Sequence, residues 1–110
     1  MAVRQAGNVE IIAFAGRIVS GDGAGAVREA IKGAVERGHR NILLDLGGVR
    51  TIDSMGLGEI SAAYITVARL GGAMKLLNPQ AKVSSLLQIT HLYSVLVTFS
   101  DENAAVASFD

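Results

Sequence analysis

From its amino end the chain alternates short apolar runs with longer stretches in which apolar residues recur every three or four positions. Val3–Gln5 is a brief strand, turned by Gly7-Asn8 into Val9–Ala15, whose tail Ile11-Ile12-Ala13-Phe14-Ala15 is apolar on both faces. These two pair most simply as a hairpin. A glycine-rich loop, Gly16 to Gly23, leads into a helix from about Ala24 to Arg37, with Val27, Ala30, Ile31, Ala34 and Val35 on one stripe and Gly38 as its stop. Ile42–Leu46 reads as a buried central strand, apolar on both sides but for Asp45. After a glycine-containing loop a second helix starts near Ser54, carries Leu57, Ile60, Tyr64, Val67 and Ala68 at helical spacing, and ends at Gly71-Gly72. Ala73–Leu77 is a further strand, closed by Asn78-Pro79. A short helix with Val83, Leu86, Leu87 and Thr90 inward follows, then a strand Val95–Phe99. Ser100-Asp101 caps a last helix, Glu102–Phe109, whose Val106 and Phe109 pack back.

The order β-β-α-β-α-β-α-β-α predicts an α/β fold, one domain over residues 1–110, with a mostly parallel central sheet of about five strands and four helices. Helical crossovers of this length join parallel strands. Periodicity leaves open whether the helices cover one face of the sheet or both.

Composition narrows the function. A chain of 110 residues supports one core, with its site expected at an edge or loop. Ten Lys and Arg balance ten Asp and Glu, which gives no electrostatic case for nucleic acid or an anionic membrane surface. The absence of cysteine removes thiol catalysis and disulfides and fits a reducing compartment, so a cytoplasmic location is expected. Neither a signal-peptide core nor the roughly 18 to 20 apolar residues of a membrane span occurs. Membrane insertion is therefore not expected.

The chemistry concentrates in Asp53-Ser54-Met55-Gly56-Leu57-Gly58, at the end of the central strand, where α/β folds place working groups. Asp53 or Ser54 is suited to cap the helix that follows. Gly56 and Gly58 cost that helix about 1 kcal/mol each relative to alanine, so close approach of another surface to this backbone is expected. Between Leu57 and Leu70 the only charges are Glu59 and Arg69, which leaves Ala62, Ala63, Ile65 and Thr66 on a bland outer face. Two readings stay open for that face: a docking or self-association surface, or cover by a neighbouring element.

A nucleotide-binding module is the rival from the residues alone. Gly21-Asp22-Gly23-Ala24-Gly25-Ala26 fits G-x-G-x-x-A through Gly21, Gly23 and Ala26, and Asp45 ends the next strand where a ribose-binding acid is expected. Arg17–Val19 intervene where that motif wants a tight turn. Catalysis finds little support: His39 and His91 are isolated, lack metal-ligand spacing and read as surface or capping residues, and no G-x-S-x-G elbow surrounds Ser54. Neither a cofactor nor a metal site is expected. Lys75 and Lys82 read as solvated charges, Tyr64 and Tyr93 as core or rim.

The stretch from Ile42-Leu43-Leu44-Asp45-Leu46 into Asp53-Ser54-Met55-Gly56-Leu57-Gly58 resembles the STAS domains of bacterial anti-sigma factor antagonists, and the likeness extends to the Ala15-Gly16 strand end, the Gly71-Gly72 turn and the Pro79 loop. The resemblance implies a non-enzymatic regulator. Ser54 is its phosphoacceptor, modified by a serine kinase that is also the anti-sigma factor and restored by a PP2C-type phosphatase; the unmodified form binds the kinase and frees the sigma factor. Asp53, Met55, Gly56, Leu57, Gly58 and Asp22 are the implied partner-binding residues, and a second copy of the chain is a further candidate partner. Met55 stands where a second hydroxyl residue is common. Val19 stands where an acid often follows the leading strand, and Asp22 is the nearest acid. A STAS scaffold or transporter-accessory subunit with Ser54 unmodified is the alternative within the same resemblance.

Overall fold

The computed structural model describes residues 1–109. Its elements are strands β1 (Ala2–Ala6), β2 (Val9–Ile18), β3 (Asn41–Ile52), β4 (Ala73–Leu77) and β5 (Thr98–Phe99), with helices α1 (Ala24–Glu36), α2 (Ser54–Arg69), α3 (Ala81–Ile89) and α4 (Glu102–Ala107). The strands form one sheet in the order β1-β2-β3-β4-β5. β1 and β2 are the antiparallel hairpin, and every later neighbour is parallel. This is the expected α/β order.

Alternation along the strands divides the core between two faces. Ile12, Phe14, Ile42, Leu44, Leu46, Met74 and Leu76 face α1, α2 and α3 and form the larger cluster with them. Val9, Ile11, Leu43 and Leu77 face the other way and are closed by Ala105 of α4, with Val106 and Phe109 against them as expected. Both faces are therefore covered, unequally.

The main departure concerns the two segments read as loops. β2 runs on through Gly16 to Ile18, and β3 through Gly47-Gly48 to Ile52. They pair parallel with register shifts between Ala13 and Ala15 and between Gly16 and Arg17, where β3 carries one extra residue each time. The first shift resets the alternation, so Leu46 and Val49, three apart, enter the same cluster. Gly48 permits it: a Cβ there would lie 3.0 Å from the Phe14 carbonyl oxygen and 3.2 Å from Ala15 Cβ. Among the described residues β2 is the one strand paired with this second half of β3, since β4 pairs with Asn41–Asp45.

Smaller corrections follow from packing. The expected strand Val95–Phe99 shortens to Thr98–Phe99, because the chain leaves a 3-10 turn at Leu92–Ser94 through a turn and bend at Val95 and Leu96 before it pairs. The last helix ends at Ala107. Thr90 is exposed, its hydroxyl donating to the Leu86 carbonyl at 2.7 Å. In α2 the buried stripe uses Ala63, while Ala68 is exposed. Lys75 is half-buried: its ammonium donates to the carbonyl and hydroxyl of Ser108, both at 2.9 Å, and lies 4.7 Å from the Phe109 ring centre.

His39 is also no simple surface residue. It stands 3.2 Å from the carboxylate of Glu10, whose side chain is 1% exposed and which Arg37 contacts at 2.5 Å. Sequence reading passed over Glu10 because its alternation partners are apolar and nothing local marks it.

Candidate functional site

The site lies where β3 ends and α2 begins. Asp53, extended at φ −111° and ψ −176°, is the N-cap: Oδ1 accepts the Gly56 N–H at 2.8 Å, and its carbonyl accepts the Leu57 N–H at 2.9 Å. Its other carboxylate oxygen, Oδ2, accepts the Ser20 N–H at 2.9 Å from the turn between β2 and α1. These bonds, with that from Ser20 the largest influence and that from Gly56 next, hold the Asp53 carboxyl below the ordinary carboxylate range. One side chain therefore ties the turn to the cap. Ser54 follows directly, exposed, in the first turn of α2, beside N–H groups that no helical carbonyl satisfies.

The turn is closed by two reciprocal bonds, Val19 N–H to the Asp22 carbonyl and Asp22 N–H to the Val19 carbonyl, each 2.9 Å. Val19 points into the protein at 9% exposure, whereas Asp22 is fully at the surface, its carboxylate 3.7 Å from Arg17 Nε. An exposed pair at that distance contributes little. The acid of this loop is thus displaced three residues along the chain, but the tight turn returns it beside Val19.

Among the six residues expected to meet a partner, the structure separates two roles. Met55, at 53% exposure, Gly58 and Asp22 are surface, and Asp53 is half-exposed. Gly56 and Leu57 are buried. The expectation that both helix glycines clear the way for another molecule is corrected for Gly56. A Cβ there would fall 1.9 Å from the Ile18 carbonyl oxygen, so the approaching backbone is the protein's own β2. At Gly58 nothing lies within 4 Å. Leu57 belongs to the core.

The outer face of α2 resolves the same way. Ala63 is covered, in the floor of a groove of about 660 Å³ between α1 and α2 that the Arg28–Glu59 ion pair bridges at 2.6 Å. Ala62, Ile65 and Thr66 remain exposed. A second groove, of about 350 Å³, runs beside the cap between Thr51-Ile52 and Lys82, Leu86 and Ile89 of α3. Sequence reading missed this groove, since Ile89 looks like an ordinary helix residue until its 74% exposure is seen.

The nucleotide motif is not assembled. Gly23, at φ 97°, is required by close approach to the backbone of Arg17, whose carbonyl oxygen would be 2.0 Å from a Cβ. Asp45 lies on the sheet face that carries α4, opposite α1, and accepts the Gly47 N–H at 2.9 Å. Catalytic chemistry at Ser54 lacks a base: His39 sits at the start of β2 with Glu10, the far end of the parallel strands, and His91 lies beyond the C-terminus of α3. Among the described residues no cluster of His, Cys, Asp and Glu could hold a metal ion, and no helix is long and apolar enough to cross a membrane.

Comparison with known proteins gives this arrangement a context. The STAS domain model matches residues 1–105. The TM1081 homolog of Thermotoga neapolitana, named for an anti-sigma factor antagonist role, is 32% identical over 72 residues, 66% of this chain and 64% of its own length, so the chain spans under two thirds of that relative. The crystal structure of TM1081 from Thermotoga maritima superposes with a TM-score of 0.85 at 21% identity, over 98% of this chain and 92% of that one. The Bacillus cell fate determinant SpoIIAA in its phosphorylated form gives 0.73 at 18% identity, over 97% of each. At such identities the two structures establish the fold. Anti-sigma factor antagonists of this type are non-enzymatic regulators. With the family model covering nearly all of its length, the chain belongs to the STAS domain family.

Proposed function

We propose that this domain is an anti-sigma factor antagonist whose binding to an anti-sigma serine kinase is switched by phosphorylation of Ser54. The observation that carries the reading is the placement of Ser54: exposed in the first turn of α2, immediately after a cap that fixes the backbone on both sides. A phosphoryl group there adds roughly −1.5 to −2 charges beside free N–H groups and the positive end of the helix dipole, so the fold tolerates it. A partner closing over the site would have to strip water from that charge, next to the Asp53 carboxylate. Phosphorylation therefore opposes docking without refolding.

In this reading Ser54 is the acceptor, and Met55, Gly58 and Asp22 meet the partner. Asp53, Gly56 and Leu57 hold the acceptor in place. The groove at Ile52, Leu86 and Ile89 extends the docking surface toward α3, and a PP2C-type phosphatase resets the switch. Incubating the chain with ATP and the anti-sigma kinase encoded nearest its gene labels the wild type and leaves Ser54→Ala unlabelled, while both bind the kinase. Labelling of the alanine variant would refute the assignment. Absence of both labelling and kinase binding would favour a scaffold or transporter-accessory role.

A further inference from the structure

Side-chain sulfur is open to two-electron oxidants such as peroxide, and in most proteins a cysteine thiolate takes the attack first. This chain holds no cysteine, so the reaction falls to its three methionines. Their settings differ. Met74 lies in β4 within the larger core cluster at 2% exposure, and Met1, at 71%, lies at the amino end away from the site. Met55 is 53% exposed in the first turn of α2, directly after Ser54. Three residues on, along the same side of the helix, stands Gly58, with nothing within 4 Å of where its Cβ would be. No side chain at that position shields the thioether of Met55. Side chains on a helix lean toward its N-terminus, which brings this sulfur toward the cap that holds the acceptor.

We propose that Met55 is a reversible oxidation site and that its sulfoxide opposes docking at Ser54, a second covalent input beside the phosphoryl group. The inference rests on the docking role proposed above for Met55. The step is an oxygen transfer: the sulfur attacks one oxygen of hydrogen peroxide with an electron pair, the O–O bond breaks, that oxygen stays on sulfur, and the other leaves as water after taking the proton. A soft apolar contact becomes a polar one carrying a strong acceptor. In the free chain the new oxygen is hydrated, and the negative end of the S–O dipole lies near the positive end of α2, so the fold tolerates it. Under a partner it must give up that water, and an acceptor buried without a donor opposes binding. Met74 is shielded by the core, so mild oxidation alters the surface and leaves the packing alone. Methionine sulfoxide reductases return the thioether.

Treating the intact, unphosphorylated chain with dilute hydrogen peroxide, quenched by catalase, tests both parts. Peptide mapping should show sulfoxide forming at Met55 at least about tenfold faster than at Met74. The oxidised chain should bind the anti-sigma kinase encoded nearest its gene at least about tenfold more weakly than the reduced chain, and methionine sulfoxide reductases A and B together should restore the affinity. In Met55→Leu, peroxide should leave that variant's own affinity where it stood before treatment. Equal rates at Met55 and Met74, undiminished binding once Met55 is oxidised, or a loss in Met55→Leu as large as in the wild type would each overturn the proposal. Failure of the reduced chain to bind the kinase would instead refute the docking role and the effect of the sulfoxide with it, while the two oxidation rates still decide the site.

Discussion

The backbone N–H of Ser20 donates to the side chain of Asp53 across 2.9 Å, joining a turn and a helix cap that are 33 residues apart in sequence. The loop that presents Asp22 and the helix that presents Ser54 are therefore a single unit. Asparagine at position 53 keeps one acceptor oxygen and can serve only one of the two N–H groups. In Asp53→Asn, amide hydrogen exchange should accelerate at Ser20 or at Gly56 while the sheet amides stay protected. Unchanged protection at both would show that the carboxylate is not what holds the turn.

The same carboxylate gives stability a pH dependence. Its pKa in the folded state is below the ordinary value, chiefly through the Ser20 bond, so the folded protein binds this proton less readily than the unfolded chain. The resulting stabilisation is complete above the unfolded-state value of about 4 and is lost as pH falls through the lower folded-state value. Thermal midpoints of wild type and Asp53→Asn, compared from neutral pH downward, should differ most near neutrality and converge at the acid end.

Gly56 and Gly58, two residues apart, should respond to alanine in opposite ways. At Gly56 the new methyl meets the Ile18 carbonyl, and separating α2 from β2 costs about 1–3 kcal/mol or more. At Gly58 there is open space, so alanine should stabilise the helix by about 1 kcal/mol. Urea unfolding reads both. If Gly58 also serves a docking partner, the stabilised variant binds it less well, and that combination distinguishes a site glycine from a packing glycine.

Replacing Arg37 by methionine leaves the Glu10 carboxylate buried with only His39 beside it. Breaking a fully buried pair costs about 3–5 kcal/mol, and the exposed guanidinium lowers this to about 2. Glu10→Gln should recover part of the loss in the Arg37→Met background, because a neutral amide is cheaper to bury. Additive losses in the double variant would show that the two residues are energetically independent.

Lys75→Met should loosen the chain's end selectively. The substitution keeps the apolar stem but removes both bonds to Ser108, a loss of about 1–3 kcal/mol. Proteolysis within α4 should rise before the remainder of the domain is cut, and simultaneous cleavage throughout would contradict an anchoring role.

The elements and their order could be read from the sequence because each buries a strong periodic stripe: Val27, Ala30, Ile31 and Ala34 in α1, or Met74 and Leu76 in β4. The outer halves of β2 and β3 could not. Glycines and bulges interrupt their alternation, and what makes them strands is each other, a contact some 30 residues distant. At the site, the Asp53 cap followed from residue type and position. Its second bond, to a backbone N–H with no sequence signature, did not. The division between Gly56 and Gly58 was equally hidden, since it depends on where Ile18 passes. Exposure of Ile89 and burial of Glu10 likewise reflect which elements end up opposite them.

Beyond Asp45 the strand paired with β3 is β2, and Ser54 follows the end of that two-stranded extension, which is braced by the buried Leu46 and Val49 on its inner face and by Gln80 Nε2 donating to the Gly47 carbonyl at 2.5 Å. Mechanically it is a braced beam, pinned on one face by the core and jointed at the register shifts near Ala13–Arg17. A force applied at Ser54 by a closing partner therefore passes into β2 through the strand pairing and into the larger cluster through Leu46, Val49 and Leu57. Sequence change at Gly16, Gly47 or Gly48 would then alter how stiffly the acceptor is offered without touching the acceptor, its cap or the surface that meets the partner.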